Sequence, residues 1–131
     1  MPSLAKGTFT VEMKPQAEPN TSEGVSLGRM SLDKRFEGDL VATGKGEMLT
    51  ALTPTTGSAG YVAIERVTGT LQGRRGSFVF QHSGTMDQGD QRLSITVVPG
   101  SGTGALAGIS GSFKLNITKG KHFYEFEYSL P

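Results

Sequence analysis

Apolar and polar residues alternate along most of this chain with a period of two. Phe9, Val11 and Met13 are interleaved with Thr8, Thr10, Glu12 and Lys14, and Phe78 and Phe80 with Ser77, Val79 and Gln81. Leu93, Ile95 and Val97 repeat the pattern, as do Phe113, Leu115 and Ile117. Such alternation puts one set of side chains on each face of a strand. No segment sustains apolar residues at i, i+3, i+4 and i+7, so helices of ordinary length have no place. The pattern predicts strands over 5–14, 26–37, 40–53, 59–72, 76–86, 91–98, 111–118 and 121–129. Residues 15–24 have loop composition, and the Gly-rich stretch 99–110 is the longest gap, with room for one turn of helix. Eight antiparallel strands in chain order, joined by tight turns, predict an all-β fold: an eight-stranded antiparallel meander barrel spanning 1–131 as one domain. Closure leaves no exposed sheet edge.

Glycines suggest the registers. The pattern G-x-L-x-G-x-x-G-S-F occurs at Gly69–Phe78 and again at Gly104–Phe113, and reads as one turn solution used twice. A two-residue turn at Arg74-Arg75 would set Leu71 opposite Phe78, Val67 opposite His82 and Glu65 opposite Gly84. A turn at Gln88-Gly89 sets Leu93, Ile95 and Val97 beside Gly84, His82 and Phe80. A turn at Lys119-Gly120 pairs Phe113 with Phe126, Leu115 with Tyr124 and Ile117 with His122. All three agree on one interior, which a one-residue slip in any of them would invert. Ala63, Gly69 and Gly84 on that interior predict some empty volume. The strands over 26–37 and 40–53 have no comparable turn to fix them.

Composition narrows the function. The chain has 131 residues and no cysteine, which removes disulfides, thiolate metal sites and cysteine nucleophiles together. A net charge of +1 offers no broad basic field for nucleic acid. No apolar run reaches membrane-span length, and the first residues lack the apolar core of a signal peptide, so neither membrane nor nucleic acid is expected as a partner. A cytoplasmic location is the expectation.

The chemistry therefore rests on polar residues that the alternation turns inward. Glu65 and His82 fall on adjacent strands of the interior face, diagonal and within reach of each other. A buried carboxylate is costly unless it is paired or used, and a carboxylate–imidazole pair can act as general acid and base. Tyr61, Phe80, His122, Tyr124 and Tyr128 share the interior and are candidate ligand-lining residues. Glu47 and Arg29 are further candidates, on the two strands of open register. Glu65, His82 and His122 could hold a metal as two histidines and a carboxylate, but no H-x-H spacing supports it. No metal or other cofactor is expected. Gly24-Val25-Ser26-Leu27-Gly28 matches a nucleophile elbow by letters alone, since that elbow needs a strand-to-helix turn. Gly100–Gly104 lacks the Lys-Ser/Thr of a phosphate loop.

Several blocks together carry a resemblance. They are Gly28–Lys34, Gly46–Leu49, Ser58–Arg66, Gly76–Met86 and Ser101–Ile109. From about Gly7 to Leu130 the chain resembles a bacterial family of short proteins of unknown function with an allene-oxide-cyclase-like β-barrel. The resemblance implies an eight-stranded barrel, often in a small oligomer, and no settled activity. No catalytic motif of the plant cyclases maps onto these residues, and fold alone does not transfer function. The leading expectation is a barrel that binds a small, largely apolar molecule inside. The alternatives are an isomerase or cyclase using Glu65 and His82 as acid and base, and a filled barrel acting through its oligomer surface. Val62, Ile64 and Val79 would form that surface, an outward apolar stripe predicting a homodimer.

Overall fold

The computed structural model describes residues 2–131, and the alternating segments are its strands. These are β1 (Ser3–Pro15), β2 (Asn20–Ser22), β3 (Val25–Gly38), β4 (Leu40–Leu52), β5 (Ala59–Leu71), β6 (Arg74–Asp87), β7 (Asp90–Val97), β8 (Ser110–Thr118) and β9 (Lys121–Ser129). The sheet runs β1-β9-β8-β7-β6-β5-β4-β3, and β1 pairs with β3 to close an antiparallel eight-stranded barrel. The short β2 is an addition, paired to the start of β3 within the segment expected to be loop. One turn of 3-10 helix, Gly104–Leu106, sits in the long Gly-rich gap. No helix among the described residues is long and apolar enough to cross a membrane.

Four hairpins share one turn chemistry. Glu23-Gly24, Gln72-Gly73, Gln88-Gly89 and Lys119-Gly120 each have positive φ at both positions, the requirement of the two-residue turn that matches strand twist. The registers expected from Gln88-Gly89 and Lys119-Gly120 are those observed. The β5–β6 turn is different. It lies at Gln72-Gly73 rather than Arg74-Arg75, so Leu71 pairs with Arg74, Ala63 with His82 and Glu65 with Phe80. Two consecutive arginines would both have to adopt the left-handed region, at about 1–2 kcal/mol each. Gly73 removes one of those costs. The change moves the partner of Glu65 from Gly84 to Phe80, an even number of residues, so every side chain keeps its face. Glu65 and His82 stay diagonal neighbours on the inside.

Along its axis the barrel has two unlike halves. One is solid: Phe36, Leu40, Leu71, Phe78, Phe113 and Phe126 are all buried there. Phe113 stacks on Tyr124 at 5.3 Å and 17°, and Phe78 on Phe126 at 5.6 Å and 26°. Where β7 stops, residues 98–109 continue alongside β6. Thr103 N–H donates to the Ser77 carbonyl at 2.8 Å, and Ser101 Oγ accepts from Val79 N–H at 3.0 Å. That segment sends Leu106 and Ile109 into the core. The other half is open, and the interior glycines are not the reason. A Cβ at Gly69 would collide with the Val41 carbonyl oxygen, and one at Gly84 would lie 2.6 Å from the Tyr61 ring. Both glycines admit a neighbour rather than leave a void. Leu93 of β7 and Leu115 of β8, on the two sides of a sparsely paired seam, line the open half. β8 and β9 pair from Ser110–Ser129 to Thr118–Lys121, whereas the strand pairing of β7 with β8 is the single pair Thr96–Ser112.

Candidate ligand-binding site

Between the two halves lies a cluster of charged groups. The period-two register of β5 aims Ala63, Glu65 and Val67 inward, and Glu65 is fully buried. Its Oε1 accepts two hydrogen bonds, from His82 Nε2 at 2.9 Å and from Lys34 Nζ at 3.1 Å. Its Oε2 has no hydrogen-bond partner and occupies the space where Gly44 has no side chain. The Lys34 side chain is 7% exposed, and its ammonium lies over the Phe9 ring at 5.1 Å and near the Phe36 ring at 6.0 Å. On the far side of His82, Nδ1 stands 3.4 Å from the Tyr61 hydroxyl.

The electrostatics fix who donates to whom. Burial alone would raise the carboxyl pKa of Glu65, but the His82 hydrogen bond and the Lys34 charge outweigh it and hold it below the ordinary range. Glu65 is thus ionised at neutral pH and can only accept, so His82 Nε2 carries a proton. Burial, with a smaller push from the Glu65 charge, raises the Tyr61 phenol above its usual value, which keeps it protonated. A chain results: the Tyr61 hydroxyl faces His82, His82 donates to Glu65, and Lys34 donates to the same oxygen.

Above this floor is a cavity of about 410 Å³, with Leu32, Met48, Leu93 and Leu115 among its apolar walls. Tyr61, His82 and His122 line it as expected, and so does Lys34. Glu65 does not. It lies behind Lys34 and His82, reaching the cavity only through them.

Three expected lining residues belong to the solid half, because they lie deeper along their strands. Phe80 packs edge-on against Phe78 at 5.0 Å. The Tyr124 hydroxyl donates to the Glu37 carbonyl at 2.8 Å and accepts from Leu40 N–H at 2.9 Å. The Tyr128 hydroxyl donates to the side chain of Gln72. Two further candidates are outside altogether. Arg29 and Glu47 are each more than half exposed and face one another at 3.5 Å on the outer surface. With Leu32 and Phe36 buried on β3 and Leu40 and Ala42 on β4, odd positions of β3 and β4 must point out. His122 packs on Phe9 at 5.0 Å, on the cavity wall. Among the described residues, no three His, Asp or Glu side chains gather as a metal site would require.

Lys34 is the member that sequence reasoning missed. A lysine within a strand reads as outward by default, since lysine is rarely buried unpaired. The signal was nonetheless present: Leu32, Lys34 and Phe36 share one face by a period of two, and that face is apolar.

A crystal structure of a protein of unknown function from the DUF3224 family of Shewanella oneidensis MR-1 is similar to this chain throughout. The two are 49% identical, the match covers 100% of this chain and 99% of that one, and the TM-score is 0.94. Nothing among the curated proteins matches. The family model described as "Protein of unknown function (DUF3224)" matches residues 5–128, and the chain, with its barrel and the polar floor described above, belongs to that family.

Proposed function

We propose that this protein binds a small, largely apolar molecule in the open half of its barrel. The observation that carries this reading is the cavity of about 410 Å³ over a buried polar floor. That size lies in the ordinary range of small-molecule sites, about 300–1,000 Å³, which are mostly apolar with a few placed polar groups. An eight-stranded barrel is just wide enough to hold one small ligand. Titration with an environment-sensitive apolar dye tests it: about one equivalent should bind, and Leu115→Trp, which fills the cavity from β8, should abolish binding. Equal binding to both proteins, or none to either, overturns the reading. A cytoplasmic location goes with it, supported by a chain that carries no cysteine.

The hydrogen-bonded chain of Tyr61, His82 and Glu65 favours a second reading, an isomerase or cyclase acting on such a ligand. In it Tyr61 and His82 exchange protons with the substrate, while Glu65, which the cavity does not touch, orients His82. The third reading, a filled barrel, loses support from the cavity, but the apolar outer stripe still favours a homodimer alongside ligand binding.

A further inference from the structure

We propose that the ligand is a monoanionic amphiphile, a medium-chain carboxylate or a compound with an equivalent oxyanion, held with its head on Lys34 and Tyr61 and its tail toward the mouth. This rests on the reading of the cavity as a ligand site. The first observation is what the walls lack. Lys34, Tyr61, His82 and His122 line the cavity and Arg92 stands at its rim, but no carboxylate does. The nearest negative charge, Glu65, is sealed behind two donors that already satisfy its Oε1.

The second observation is the state of Lys34. Its ammonium has three N–H donors, and the one acceptor it meets among the described residues is Glu65 Oε1. The remaining donors face the Phe9 ring and the cavity. A fully apolar ligand would displace water from them and leave them unpaired, which is unfavourable in a dry site. A cationic head would meet Lys34 directly. An oxyanion supplies the missing acceptors and forms a charge-assisted hydrogen bond. Tyr61, kept protonated, adds a second donor on the same floor when its one hydroxyl proton turns from His82 Nδ1, 3.4 Å away, to the head group.

Size narrows the class further. At roughly 30 Å³ for each water-sized group, the cavity holds on the order of a dozen non-hydrogen atoms. A straight carboxylate of eight carbons fits that bound. Its tail would lie among Leu32, Met48, Leu93 and Leu115.

Calorimetric titration at pH 7.5 with octanoate, octanol and octylamine tests the head group. Octanoate should bind at least tenfold tighter than octanol, and the octylammonium ion weakest of the three. In the double variant Lys34→Gln/Glu65→Gln, which leaves no unpaired charge, octanoate and octanol should agree within about threefold. Tyr61→Phe should weaken octanoate more than octanol. If octanol matches octanoate in the unaltered protein, the head-group assignment fails while the cavity reading stands. If none of the three binds, both fail.

Discussion

Glu65 and Lys34 are coupled at the residue level in a way that separates Glu65 from His82. A Glu65–His82 pair whose members both faced the cavity would tolerate conversion of either to glutamine, at about 1 kcal/mol each. The structure splits them. Glu65→Gln leaves the buried Lys34 ammonium without its counter-charge, and breaking a buried ion pair costs roughly 3–5 kcal/mol. His82→Gln keeps a side chain that can donate to Glu65 and touches the cavity, so about 1 kcal/mol remains the expectation. Urea denaturation of the two variants checks this, and equal losses would contradict it. The pH dependence has a definite sign. The folded carboxyl of Glu65 lies below its unfolded value of about 4.3. Its contribution to stability is therefore complete above that value and is lost as pH falls through the folded pKa. The stability gap between the unaltered protein and Glu65→Gln should be present at pH 5 and narrow progressively as pH falls below about 4.3. A gap unchanged at pH 3 would show that Glu65 acts through shape rather than charge. Glu65 and His82 were legible in the sequence because each is a polar exception on an apolar face. Lys34 was equally exceptional, but its strand had no turn to fix the register, and an inward lysine has sense only once its carboxylate partner is known.

At the level of elements, the turns decide how much the sequence reveals. Gln88-Gly89 and Lys119-Gly120 disclosed their hairpins because each Gly follows one residue able to take positive φ and is flanked by clean alternation. Gln72-Gly73 was obscured by a second glycine, Gly76, which made Arg74-Arg75 look like the enclosed pair. Gly76 is required for a different reason, since a Cβ there would collide with the Thr103 carbonyl oxygen of the segment docked on β6. A glycine needed for close approach imitates a glycine needed for a turn. Two measurements follow. Gly73→Ala should cost about 1–2 kcal/mol, because alanine must take the left-handed conformation. Lys119→Asn makes the favoured Asn-Gly turn and should raise stability by about 0.5 kcal/mol. If Lys119→Asn destabilises, the turn is not limiting there. The β7–β8 seam makes a different demand, since only Thr96–Ser112 bridges it. Amides of Leu93 and Leu115 that face the seam should exchange with solvent faster than those in the continuous β4–β5 ladder. Uniform protection around the barrel would mean that the seam is closed in solution.

On the scale of the whole molecule, the solid half holds the packed core and the open half holds the proposed ligand site, both inside the barrel, which leaves the outer surface for assembly. The expected stripe of Val62, Ile64 and Val79 is altered by the fold. Val79 is partly covered by residues 98–103, through the Val79–Ser101 hydrogen bond. Val62 and Ile64 stay about half exposed, and Leu49, directly opposite Val62 on β4, is 55% exposed beside Leu27 on β3. The patch therefore moves from β5–β6 to β3–β4–β5. Its neighbours are Arg29 and Glu47, paired with each other at 3.5 Å. A two-fold interface must be self-complementary, and a patch carrying one charge of each sign beside its apolar centre can meet a rotated copy of itself without like charges opposed. The expected state is a homodimer through this face at micromolar concentration. Val62→Lys/Ile64→Lys should give a monomer by light scattering, with dye binding in the cavity unchanged because both side chains point away from it. A monomeric unaltered protein would remove the stripe as an interface. A double variant that still dimerises would place the contact elsewhere on the barrel.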